Sequence, residues 1–196
     1  MPEYLAPGVY VEEISFESHP IEGVSTSTAG LVGVTVAKVR KCRSRCLVIL
    51  TKPKRKGRLC VARMLAHELR QDLYRVDLAA VISKYIGETE KNLRRLFGRA
   101  QKNGAVLFFD EADALFRKRS AIKDASDRLA HFNSSWFLEQ LKAFRGVALL
   151  ALRRKENLDS DFLRKTRYIL AAWRAKGLPK GNTVRRTNSS GYNFKE

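Results

Sequence analysis

Three short runs, Leu47-Val48-Ile49-Leu50, Ala105-Val106-Leu107-Phe108-Phe109 and Val147-Ala148-Leu149-Leu150-Ala151, are apolar at every position. They are bounded, short, and rich in β-branched or aromatic side chains, as strands are. A strand apolar on both faces needs helices above and below it, which is the situation of a parallel sheet. The intervening segments supply those helices. Val61, Met64, Leu65 and Leu69 fall near the helical period, as do Leu93, Leu96, Phe97 and Ala100, and again Phe137, Leu138, Leu141 and Phe144. Two weaker runs, Leu73–Val76 and Tyr168–Leu170, read as further strands. Strands alternating with helices predict an α/β fold with a largely parallel sheet, the three apolar runs at its centre.

The flanks differ from this core in charge. Residues 1–37 hold five glutamates (Glu3, Glu12, Glu13, Glu17, Glu22) and no Lys or Arg; with a total of +18, the remainder carries +23. Within the first flank, Val9, Val11 and Ile14 suggest a short strand, and the β-branched stretch 29–37 predicts an extended segment. Opposite charge and few large apolar side chains predict that residues 1–37 stay apart from the α/β core. Residues 38–45 form a basic junction, the core spans 46–172, and the Gly/Asn/Ser-rich basic stretch 173–196 predicts a disordered tail. No apolar run approaches the ~20 residues of a membrane span. The start lacks the basic-then-apolar order of a secretory signal, and Cys42, Cys46 and Cys60 make neither a disulfide framework nor a zinc set. Reduced thiols in a cytoplasmic protein are the expectation.

Chemistry concentrates at Phe108-Phe109-Asp110-Glu111-Ala112-Asp113. A buried strand ending in adjacent carboxylates puts Asp110 and Glu111 at the carboxyl edge of the sheet, where open α/β sheets bind ligands. There Asp110 can hold a hydrated Mg²⁺ and Glu111 can polarise an attacking water. Carboxylates also occur at any solvated strand end, so the pair does not decide the matter alone. Upstream lies Ser83-Lys84-Tyr85-Ile86-Gly87-Glu88-Thr89-Glu90-Lys91-Asn92-Leu93-Arg94-Arg95-Leu96-Phe97. Taken with Asp110-Glu111-Ala112-Asp113-Ala114-Leu115-Phe116, this resembles the core of an AAA+ ATPase, a P-loop NTPase-like fold, over about two thirds of the chain. It is particularly similar to the ATPases encoded with contractile injection systems.

The resemblance implies ATP and Mg²⁺ as ligands, Asp110 and Glu111 as the Walker B pair, and assembly into a homo-oligomer. Tyr85-Ile86-Gly87 matches the aromatic pore loop that grips a threaded polypeptide, although Tyr85 also suits a partly buried aromatic beside a helix start. Arg164 and Arg167 match the region of the subunit-bridging arginines, and equally an ordinary basic surface.

Other positions depart from the family. A phosphate-binding loop needs Gly-rich backbone around the phosphate oxygens, a Lys for the β/γ-phosphates and a hydroxyl for Mg²⁺. In register stands Lys52-Pro53-Lys54-Arg55-Lys56-Gly57-Arg58-Leu59. Only Gly57 survives; Arg58 takes the lysine position and Leu59 the hydroxyl position. The basic loop is expected to attract phosphate by charge, without selectivity. Arg153 replaces the polar sensor after the third apolar run, and no counterpart of the small helical lid follows the core.

A second resemblance concerns residues 1–37. Tyr4-Leu5-Ala6-Pro7-Gly8-Val9-Tyr10-Val11-Glu12-Glu13 and Ile21-Glu22-Gly23-Val24-Ser25-Thr26-Ser27-Thr28-Ala29-Gly30 look like the start of a contractile tail sheath protein. In that family the arm adds a strand to a neighbouring subunit. The sequence therefore predicts an AAA+ ATPase-type nucleotide-binding module of a contractile apparatus, impaired in hydrolysis, with a polypeptide substrate it does not identify. Two other readings stay open. One is a structural protein acting through its sheath-like arm, with sheath components as partners. The other is a non-specific nucleic-acid binder held by the +23 of the later segment.

Overall fold

The computed structural model describes residues 11–17, 26–42, 45–51, 55–77, 88–112, 134–152, 160–166, 168–172 and 184–186. Their elements, in chain order, are β1 (Val11–Ile14), α1 (Thr26–Arg40), β2 (Cys46–Thr51), α2 (Arg55–Leu69), β3 (Leu73–Asp77), α3 (Glu88–Asn103) and β4 (Val106–Asp110). Then come α4 (Ser134–Ala143), β5 (Val147–Leu152), α5 (Ser160–Lys165), β6 (Tyr168–Ala172) and β7 (Val184–Arg186). They build one seven-stranded sheet in the order β1-β3-β4-β5-β2-β6-β7. The pairs β3–β4, β4–β5, β5–β2 and β2–β6 are parallel. The three fully apolar runs are thus the three middle strands, as their two-sided hydrophobicity requires.

Side-chain alternation sorts the core into two layers. On one face Leu47, Ile49, Leu107, Phe109, Leu150 and Leu152 pack beneath α3 and α4, through Leu93, Leu96, Phe97, Phe137 and Leu141. On the other, Val48, Leu50, Val106, Phe108, Leu149 and Ala151 pack beneath α1 and α2, through Leu31, Val32, Val36, Val61, Ala62 and Leu65. Within the first layer Phe109 meets Phe137 edge-on, ring centroids 5.1 Å apart, and lies 5.8 Å from Phe97. Such aromatic pairs add about 0.5–1.5 kcal/mol beyond their burial.

Helix ends follow local chemistry. After α3, Gly104 takes φ +66 and lets the Ala105 amide donate back to the Ala100 carbonyl at 2.9 Å. After α2, Arg70 adopts the same left-handed turn at φ 54, with Gln71 N donating to Ala66 O at 3.0 Å. A non-glycine residue there carries a steric cost, which this bond and the one from Arg70 N to His67 O at 3.0 Å offset.

The N-terminal flank corrects the expectation of a detached arm. β1 pairs antiparallel with β3, Val11 opposite Val76 and Ile14 opposite Leu73. Val11 is buried in one layer and Ile14 packs against the other. Opposite charge, taken as a reason for separation, instead adds contacts to those of the strand ladder and the buried Val11. Glu12 pairs with Arg75 at 2.7 Å, Glu13 with Arg99 at 2.8 Å, and the Phe16 amide donates to Asp72 at 3.2 Å.

The stretch expected to be extended is helical. Its β-branched residues favour strand locally, but Leu31, Val32, Thr35, Val36 and Val39 form one buried helical stripe. Tertiary burial outweighs a propensity difference of a few tenths of a kcal/mol per residue. The Thr35 hydroxyl donates to the Leu31 carbonyl at 2.7 Å, so it needs no outside partner. The start of the basic junction belongs to this helix: Lys38 and Arg40 lie in its last turn, and Arg40 donates to the Glu68 carbonyl at 2.9 Å. Within the expected tail, Val184–Arg186 form β7, paired antiparallel with β6; the rest of 173–196 lies outside the described residues.

Candidate functional site at the carboxyl edge of the sheet

The parallel strands bring their carboxyl ends level. Thr51 of β2 stands opposite Leu152 of β5, and Phe109 of β4 opposite Leu150, so Asp110 lies one residue from the same line. On the other side Asp110 is in register with Asp77 of β3. The edge is where β2 gives way to α2, and α2 carries Gly57, Arg58 and Leu59 in its first two turns.

Asp110 and Arg58 meet here, both buried, with side chains only 4% and 6% exposed. Arg58 Nε donates to Asp110 Oδ1 at 3.0 Å, and its Nη2 lies 3.7 Å from Glu111 Oε1. The Glu111 amide donates to the same Asp110 Oδ1 at 3.0 Å. Glu111 itself is 46% exposed and sits at φ 54, a left-handed conformation that a glutamate rarely adopts. That turn places Glu111 at the rim while its amide serves Asp110.

The arrangement gives Arg58 a role the sequence did not reveal. Read from the chain, Arg58 belonged with the lysines of a phosphate-attracting loop. In the structure its guanidinium is withdrawn from solvent and turned to the carboxylates of β4. A signal was available in the substitution itself: an arginine's planar fork favours a carboxylate where a lysine would give a point charge. Leu59, at the hydroxyl position, is partly buried and packs with the layer beneath α1 and α2.

The residues present do not fit a hydrated Mg²⁺. Both hydrogen bonds to the Asp110 carboxylate, from Arg58 and from the Glu111 amide, land on Oδ1, and the buried Oδ2 accepts none among the described residues. But the Arg58 guanidinium already sets a positive charge beside the carboxylate, and the neighbouring position offers a leucine where a hydroxyl oxygen is needed. Gly57 remains in place on α2, partly buried. Arg164 lies on α5 with an exposed side chain. Tyr85, Ile86 and Gly87, together with Lys52, Arg153 and Arg167, lie outside the described residues. Among the described residues no group of three or more His, Cys, Asp and Glu could hold a metal ion. Nor is any helix among them long and apolar enough to cross a membrane.

Sheet order, the buried strand ending in Asp110-Glu111, and a helix that follows β2, one of the three middle strands, and brings Arg58 to them are the frame of an AAA-type nucleotide-binding core. Residues 48–173 match the ATPase family associated with various cellular activities (AAA), and the chain belongs to that family. Membership implies ATP, and typically Mg²⁺, as the family's ligands. Among curated relatives, an uncharacterized AAA family ATPase of Sinorhizobium fredii is 36% identical over 110 residues, covering 56% of this chain and 33% of its own length. The proteasome-activating nucleotidase of Methanosphaerula palustris is 32% identical, covering 62% and 31%. The 26S proteasome regulatory subunit 10B of Dictyostelium discoideum is 30% identical, covering 61% and 32%. This chain thus matches about a third of the length of each. A crystal structure of the FIGL-1 AAA domain superposes with a TM-score of 0.53 at 22% identity, covering 78% of this chain and 52% of that one. That likeness extends the agreement to the fold.

Proposed function

We propose that this chain is an AAA-type module of a contractile tail or injection apparatus in which ATP hydrolysis is slow or absent. The observation that carries the hydrolysis part is the buried Arg58–Asp110 pair. Hydrolysis requires the γ-phosphate to be positioned and its developing charge stabilised before a polarised water is of use. Arg58 is spent on Asp110, Leu59 offers no oxygen to a metal, and Arg153 stands at the sensor position. Loss of one charge-stabilising donor costs ~10²–10³ in rate, and here several are replaced together. Nucleotide that does bind is held loosely, through the charge of Lys52, Lys54, Arg55 and Lys56, and is released as salt rises.

The test is Mg²⁺-dependent phosphate release by the full chain and by Glu111→Gln. Neither is expected to exceed background. Turnover near ~1 s⁻¹, within the ordinary enzyme range, abolished by Glu111→Gln, would refute the reading. The link to a contractile apparatus is supported by the resemblance of residues 4–13 and 21–30 to a sheath N-terminus. Co-sedimentation of the full chain with assembled contractile sheaths tests it, and a chain left wholly in the supernatant removes that part. Self-assembly, as AAA proteins commonly show, is read by light scattering.

A further inference from the structure

We infer that the Arg58 guanidinium holds the place of a metal cation, so that this AAA-type site is folded around its own counter-ion and its stability without nucleotide is indifferent to Mg²⁺. The inference deepens the reading of the same site given above, but it concerns binding and stability and does not depend on turnover. Its basis is geometric. A carboxylate 4% exposed at the end of a central strand is costly without a positive partner. In a nucleotide-loaded site a hydrated divalent cation supplies that charge from outside; here Arg58 supplies it from inside the chain, 3.0 Å from Oδ1. The second contact, 3.7 Å to Glu111, spreads the same guanidinium over both carboxylates, as a cation between them would be. Leu59 packs into the layer below and brings no oxygen to the position from which a metal's hydroxyl ligand would come. The two substitutions in α2 are thus one change: the cation and its ligand are exchanged for an arginine and a leucine.

If the pair is a built-in counter-ion, removing either half leaves a buried charge without its nearest opposite charge. Asp110→Asn, which keeps the acceptor for the Glu111 amide, should lower Tm by about 10 °C, and Arg58→Met by a comparable amount. Arg58→Met/Asp110→Asn together should recover most of the loss, since a neutral pair replaces an ionic one. Millimolar MgCl2, at constant ionic strength and without nucleotide, should raise the Tm of Arg58→Met and leave the full wild-type chain unmoved.

Several outcomes overturn the inference. One is that both single variants melt with wild type. Another is that the double variant is no more stable than the worse single one. That comparison still decides if a single variant fails to fold, because the double must then fold where the single does not. The third is that Mg²⁺ protects Arg58→Met no better than wild type, in which case the guanidinium is not in a cation's place. Robust ATP turnover with this melting pattern intact would sink the proposed function and leave the counter-ion standing; the reverse result would do the opposite.

Discussion

At the end of β4 the chain keeps Asp110 and Glu111, whereas at the start of α2, facing them, it has Arg58 and Leu59 where its family's chemistry asks for a lysine and a hydroxyl. The two regions nonetheless fold alike. β4 is buried along its whole length, and α2 still lays Val61, Ala62 and Leu65 onto the sheet. The difference lies only in the few side chains that face the edge. Fold and chemistry are therefore specified by different residues of the same elements: α2 keeps its inward stripe while its first turns change purpose. A core of this kind tolerates a change of the side chains at its rim provided the buried charge there is answered.

The contrast can be broken or sharpened by substitution. The largest effect should come from below the edge: Phe109→Ala, in the aromatic cluster of the first layer, should cost about 3–5 kcal/mol in urea unfolding. Leu65→Ala on the inward stripe of α2 should follow at about 2–5 kcal/mol. A loss below ~1 kcal/mol for either would mean that the layers are not the support described. Next comes Leu59→Thr, which returns a hydroxyl to the rim. It should cost on the order of 1 kcal/mol, because a partly buried leucine is lost, and should not by itself produce Mg²⁺-dependent phosphate release. If it does, Arg58 was never an obstacle.

Glu12→Ala and Glu13→Ala should each cost less than about 1 kcal/mol, since both pairs are partly exposed and screened. Limited proteolysis near β1 should nonetheless accelerate, more so in high salt. The smallest effect is expected at Glu111→Gly. Relief of the left-handed backbone and the greater freedom of the unfolded chain nearly cancel, leaving a change within about 1 kcal/mol of zero. A larger destabilisation would show that the glutamate side chain, and not its amide, supports the site.

Much of this molecule was legible in its residues. Strands whose every position is apolar announce a two-sided burial, and the stripes at Leu93–Ala100 and Phe137–Leu141 announce the helices that provide it. The carboxylates at 110 and 111 were legible for the same reason, because a buried strand must end somewhere polar. Three features were not. α1 is dominated by Val and Thr, and only its tertiary surroundings choose helix over strand. β1 and β7 are three or four residues each, and such short strands are defined by the neighbour they pair with. The contact of Arg58 with Asp110 joins residues 52 positions apart, a pairing that composition and period do not encode.

The antiparallel strands β1 and β7 lie at the two ends of the sheet, and both come from outside residues 48–173, the stretch shared with the family. They act as selvedges: the five parallel strands between them are bordered on each side by a strand running the opposite way, and the outer edge is then only three or four residues long. An open border offers unpaired amides and carbonyls to any passing chain, which is how sheets come to stick to one another. The segments outside the family's match are thus the ones that form the outer borders of its sheet. A fragment cut at the family's limits would carry two raw edges, and its fate in concentrated solution would be decided there and not at the nucleotide site.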